Sequence, residues 1–86
     1  MAREITEVEI VMLRKLQKIF DNDHFLHGIM ADLKTDEERQ FMINAIDNGL
    51  VKDPSHAIML AVDINSARKK HNGQKNYLNK IIFPYR

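Results

Sequence analysis

"FLHGIMADL", residues 25–33, carries two periodicities at once. At about 3.6 residues per turn, Phe25, Leu26, Ile29, Met30 and Leu33 share one helical face; read by alternation, Ile29, Ala31 and Leu33 line one side of a short strand. A helix here makes the chain all-α, whereas a strand would need a partner strand. Gly28 in the interior weakens the helix by about 1 kcal/mol relative to alanine. Upstream, Asp21, Asn22 and Asp23 are each good N-caps. The helical spacing holds over a longer window than the alternation, and it predicts a short helix.

Working outward, the flanking segments carry strong start and stop signals. Thr6 with Glu9 reads as a capping box, and Ile5 with Ile10 as a hydrophobic staple. Ile10, Leu13, Leu16, Ile19 and Phe20 then recur at helical spacing, which predicts a helix ending near Phe20 with Arg14, Lys15 and Lys18 toward water. Thr35 with Glu38 is a second capping box, and Asp36, Glu37 and Glu38 put negative charge where the helix dipole favours it. That helix should stop at Asn48-Gly49. Asp53 then caps the next helix with Pro54 in its first position. From Ala57 to Val62 six consecutive residues are apolar, which predicts a central helix covered on more than one side, running to a stop at Asn72-Gly73. Tyr77, Leu78, Ile81 and Ile82 suggest a short last helix, closed off by Pro84.

The order of signals over residues 29–64 resembles the ribbon-helix-helix repressors and antitoxins. The resemblance implies a strand at 29–33 that pairs with its twin in a dimer, then two helices joined at Gly49. The same resemblance would turn Met30 and Asp32 toward DNA, where a carboxylate facing the bases needs a cytosine amine or is repelled. The predicted architecture is therefore an all-α compact bundle of four helices plus a short C-terminal helix, one helical domain over residues 1–86. Leu13, Leu16, Phe20, Leu26, Ile29, Leu33, Phe41, Ile46, Ile58, Val62 and Ile64 are expected in or near its core.

Composition excludes several functions. The chain has no cysteine, which removes disulfides, thiolate nucleophiles and cysteine-rich zinc sites together. No apolar run approaches the roughly 18 residues that a membrane span needs, and the first ten residues carry three glutamates where a signal peptide is apolar. The expectation is a cytoplasmic protein with no membrane partner. The three glycines stand apart at 28, 49 and 73 and form no phosphate-binding loop.

Candidates for chemistry are few. His24 and His27 share a helical face, but a metal needs at least three converging ligands, and the sequence guarantees two. Adjacent Ser55 and His56 point to different sides of a helix, so no nucleophile–base pair is expected. Asp63 follows an apolar run and reads as a structural acceptor. Met12, Met30, Met42 and Met59 place one methionine on each of the first four predicted helices, in keeping with gap filling in a core. No catalytic, cofactor-binding or metal-ligating residues are predicted.

Charge is segregated along the chain: residues 21–50 hold seven acidic and two basic side chains, and residues 51–86 hold seven basic and two acidic. Arg68, Lys69, Lys70 and Lys75, with Tyr77 nearby to stack, form a candidate surface for another protein or for phosphates. Asp36, Glu37 and Glu38 form a candidate acidic interaction surface. The two blocks can pair within one fold or between copies. These features point to a small non-enzymatic protein–protein interaction module, an inhibitor, adaptor or assembly subunit, with a homo-oligomer as one form it can take. The alternative is a nucleic-acid-binding regulator, ribbon-helix-helix-like or acting through residues 68–75.

Overall fold

The structure, a computed structural model, describes residues 5–20, 24–71 and 76–81. Among these described residues four α-helices follow one another: α1 (Glu7–Gln17), α2 (Leu26–Asp32), α3 (Asp36–Asp47) and α4 (Pro54–Lys70). A single 3₁₀ turn, Tyr77–Lys80, stands where the last helix was expected. Among the described residues there is no strand, and Ile29–Asp32 lie within α2, so the strand implied by the ribbon-helix-helix resemblance is overturned. The helical period wins because Leu26, Ile29 and Leu33 then all bury on one side. The radius of gyration, 12.3 Å, matches the roughly 12 Å of a compact chain of this length.

The caps form largely as the sequence indicates. The Thr6 hydroxyl accepts from the Glu9 amide at 3.1 Å. Thr35 and Glu38 close a full capping box at the start of α3. At the other end of α3, Gly49 takes the left-handed conformation, φ 76°. Its amide bonds the Ile46 carbonyl and the Leu50 amide bonds that of Ala45 at 2.9 Å, which is a Schellman closure. Asp53 accepts from the His56 amide at 3.0 Å, and Pro54 opens α4. Helix α2 begins without a side-chain cap, and the caps expected at Asp21–Asp23, the stop at Asn72-Gly73, and Ile82 and Pro84 lie outside the described residues.

Contacts at the helix ends fix the packing directions. The Thr6 hydroxyl donates to Asp36 at 2.8 Å and the Lys15 ammonium to Asp47 at 2.7 Å, so α1 and α3, the most extensive helix pair, run parallel. The Schellman corner makes α3 and α4 an antiparallel hairpin. Phe25 and Ile58 line one cavity, while the Arg68 guanidinium donates to the Asp32 carbonyl at 3.1 Å, so α2 runs parallel to α4.

The core is built from Met12, Leu16, Leu26, Ile29, Leu33, Met42, Leu60 and Ile64, with Phe20, Ile43, Ala45, Val51, Ala57, Ala61 and Tyr77 completing it. Leu13, Phe41, Ile46 and Ile58 are half-buried against it. Two expectations are corrected. In α1 the buried stripe is Glu9, Met12 and Leu16 rather than the one through Ile10, and Ile5 and Ile10 are both exposed. The second concerns Val62, which is 50% exposed, so α4 has an open face despite its apolar run. Ala57, Leu60, Ala61 and Ile64 already fill the inward side, and small alanines let α4 approach its neighbours closely on that side only.

Candidate functional site

The two predicted charged surfaces meet inside the molecule. Glu38 is 0% exposed. It lies in the first turn of α3, and the antiparallel α3–α4 hairpin brings the last turns of α4 beside it. Its Oε1 accepts from the Lys34 amide at 2.6 Å, the Thr35 amide at 3.3 Å and the Arg68 guanidinium at 2.9 Å. Its Oε2 accepts from Arg68 at 2.9 Å and from the Tyr77 hydroxyl. Arg68 also donates to Asn65 and to the Asp32 carbonyl. Glu38 and Arg68 together thus tie the start of α3 to the end of α2, the end of α4 and the 3₁₀ turn.

Electrostatics follow from this geometry. Burial acts to raise the Glu38 carboxyl, but the hydrogen bonds from Tyr77, Arg68 and the Lys34 amide, with the Arg68 charge, outweigh it and hold the group below the ordinary glutamate range. For Tyr77, burial and the adjoining carboxylate act together, and its hydroxyl is pushed up to about 12. Glu38 therefore stays an acceptor and Tyr77 a donor throughout the physiological range. Beside the cluster, buried Arg39 donates to Asp36 at 2.8 Å and to the Leu33 carbonyl at 3.1 Å, fastening the loop between α2 and α3.

Both candidate surfaces are redrawn as a result. Of the acidic set, Asp36 and Glu37 are exposed and Glu38 is not. Of the basic set, Arg68 turns inward to Glu38, Tyr77 is buried, Lys69 and Lys70 are exposed, and Lys75 lies outside the described residues. The plus and minus blocks of the sequence pair within the fold at this point. Tyr77 therefore has no free ring face for a nucleobase, and the phosphate-facing charge among the described residues of the patch reduces to two lysines.

The histidines and serine weighed above stand apart from this cluster. His24 and His27 are exposed, and among the described residues no group of three or more candidate ligands could hold a metal. The Ser55 hydroxyl donates to Asp53 at 2.7 Å rather than to His56, whose Nε2 lies 3.7 Å from the same carboxylate. Bonds from the Ser55 hydroxyl and the His56 amide lower the Asp53 pKa, as befits an N-cap that must stay ionised.

What the sequence reading missed is the outer face of α4. Ser55, Met59, Val62, Ser66 and Lys69 are exposed in succession at spacings of four and three residues, the repeat of a helix-pairing seam. Met59 and Val62 are 44% and 50% exposed, and Ile58 flanks them. Across the α2–α4 groove stands Phe25, 51% exposed, which shares with Ile58 and Ile29 a surface cavity of about 290 Å³. A second cavity of about 330 Å³ opens between α1 and α2 over Leu13, Leu26 and Met30, with Gln17 and His27 at its edge. The serines flanking the apolar run were the available signal: on a helix they share the Met59–Val62 side, which no buried stripe would do.

No protein-family model, no curated protein and no solved structure matches the chain.

Proposed function

We propose that this chain is a small non-enzymatic protein–protein interaction module whose contact surface is formed by Phe25, just before α2, and Ile58, Met59 and Val62 of α4. The observation that carries the reading is the exposure of Met59 and Val62 in the middle of the longest helix, with Ile58 of the same helix sharing a surface cavity with the exposed Phe25. Single exposed apolar side chains are ordinary on protein surfaces, whereas several gathered on one helix face mark a contact site. Taking such a side chain from full exposure to full burial is worth about 1.5–3 kcal/mol, and because these are about half covered already each gains about half of that. No helix among the described residues is long and apolar enough to cross a membrane, so the strip has no membrane-spanning role.

The test is a benzophenone-bearing residue placed at Met59 in the full chain and irradiated inside the source cells. A discrete protein adduct, missing when the same residue replaces exposed Gln40 on α3, is the expected outcome. Adducts of equal yield at both positions, or nucleic acid as the captured species, would overturn the reading. The reading also predicts that Lys69→Gln with Lys70→Gln leaves duplex DNA binding unchanged at every salt concentration, in contrast to a phosphate-contacting surface, whose affinity falls steeply with salt.

A further inference from the structure

We infer that the occupant of this face is a second copy of the same chain, with the two α4 helices packed antiparallel about a two-fold axis that passes between Met59 and Val62. The inference rests on the interaction reading above and names its partner.

Three features of α4 carry it. The exposed positions Ser55, Met59, Val62, Ser66 and Lys69 repeat at four and three residues, as the contact seam of two paired helices does. An axis between Met59 and Val62 sets Met59 on Val62 of the second copy and Val62 on its Met59, so the exposed apolar groups of the two α4 helices cover one another. The same axis sets Ser55 against Ser66 of the second copy on either side, and small side chains at those positions let the backbones approach.

Charge selects the direction. The last turn of α4 carries exposed Lys69 and Lys70, and its first turn is preceded by Asp53, whose side chain is half exposed. Antiparallel packing sets Lys69 of one copy over the Lys52–Asp53 end of the other, where Asp53 offsets the exposed Lys52, and it opposes the two helix dipoles. Parallel packing would stack Lys69 on Lys69 and align the dipoles. A net charge of +1 adds no general repulsion between copies. The strip lies along one helix, with Phe25 at its margin, which is small beside the roughly 800 Å² per partner of a standard interface, so the dimer is expected to be weak and concentration-dependent.

Because the chain has no cysteine, introduced cysteines report contact directly. Full-length Ser55→Cys and Ser66→Cys proteins are mixed and oxidised at several concentrations, alongside sedimentation equilibrium of the unsubstituted chain. The expected results are a mass rising from 10.1 kDa toward twice that value and a mixed Ser55→Cys/Ser66→Cys disulfide in excess over either self-disulfide. Val62→Asp should weaken dimerisation by about tenfold or more, because it buries an unpaired carboxylate at the axis, while its circular dichroism stays unchanged. Self-disulfides in excess overturn the antiparallel arrangement. A monomeric mass at every concentration, or a dimer indifferent to Val62→Asp, overturns the second copy as occupant. If in that case the Met59 benzophenone still captures a different protein, the interaction reading stands and only its partner is changed; if it captures none, both fall.

Discussion

The junction of α3, α4 and the 3₁₀ turn and the middle of α4 both reverse the usual placement of side chains, one putting charge inside and the other putting apolar groups outside. At the junction Glu38 is fully buried, yet its two oxygens receive donors from Lys34, Thr35, Arg68 and Tyr77, so the cost of removing it from water is met within the chain. Nothing comparable happens on the outer face of α4. Met59 and Val62 remain in water because the inward side of the helix is already filled by Ala57, Leu60, Ala61 and Ile64. The contrast teaches that an unusual placement completed locally is a structural device, whereas one left open is where the proposed contact surface lies.

The sharpest way to break this contrast is at Glu38. Glu38→Ala leaves the Arg68 charge poorly compensated and Tyr77 and two amides without their acceptor, and it should destabilise the fold by about 3–5 kcal/mol in urea denaturation. A loss below about 1 kcal/mol would mean that the cluster is no more than a solvated surface pair. Next, Leu60→Ala and Val62→Ala compare the two sides of one helix only two residues apart. Leu60→Ala should cost about 2–5 kcal/mol through the cavity it leaves, while Val62→Ala should stay within about 0.5 kcal/mol when measured at dilution. Equal losses would mean that α4 is covered all round.

Tyr77→Phe is expected to be milder, removing one donor to a charged acceptor at about 1.5–3 kcal/mol. It also separates two pH limbs. Tyr77 has a folded pKa raised from 10.0 to about 12, so its contribution is complete below pH 10 and is lost as the pH rises toward 12. Glu38 has a folded pKa lowered from 4.5, so its contribution is complete above that value and is lost as the pH falls below it. Unfolding titrations should show both declines. Tyr77→Phe should flatten the alkaline limb, and Glu38→Gln the acid one. An effect of opposite sign is expected at Gly28, which lies in α2 with no atom near an added Cβ: Gly28→Ala should stabilise the fold by about 0.5–1 kcal/mol.

Much of the architecture was legible because it is written in local chemistry. Thr6, Thr35, Asp53-Pro54 and Asn48-Gly49 mark helix ends through bonds to backbone groups three to five residues away, so no distant partner is needed to form them. The period of Leu26, Ile29 and Leu33 was enough to favour a helix over a strand. The tail was read less well: a full helical turn was expected at Tyr77, and a 3₁₀ turn formed, with the buried Tyr77 hydroxyl bonded to Glu38.

By itself, then, the sequence determined the helical class, the four helices and the corner between α3 and α4, because caps, left-handed glycine and hydrophobic period act over a few residues. Tertiary structure alone decided which side of α4 faces inward and what becomes of the charged segments. An unbroken run from Ala57 to Val62 does not specify a face until the small alanines are matched against the neighbouring helices. Likewise, Glu38 and Arg68 stand thirty residues apart, and only the antiparallel hairpin brings them to 2.9 Å, turning one residue of each expected surface inward as an ion pair.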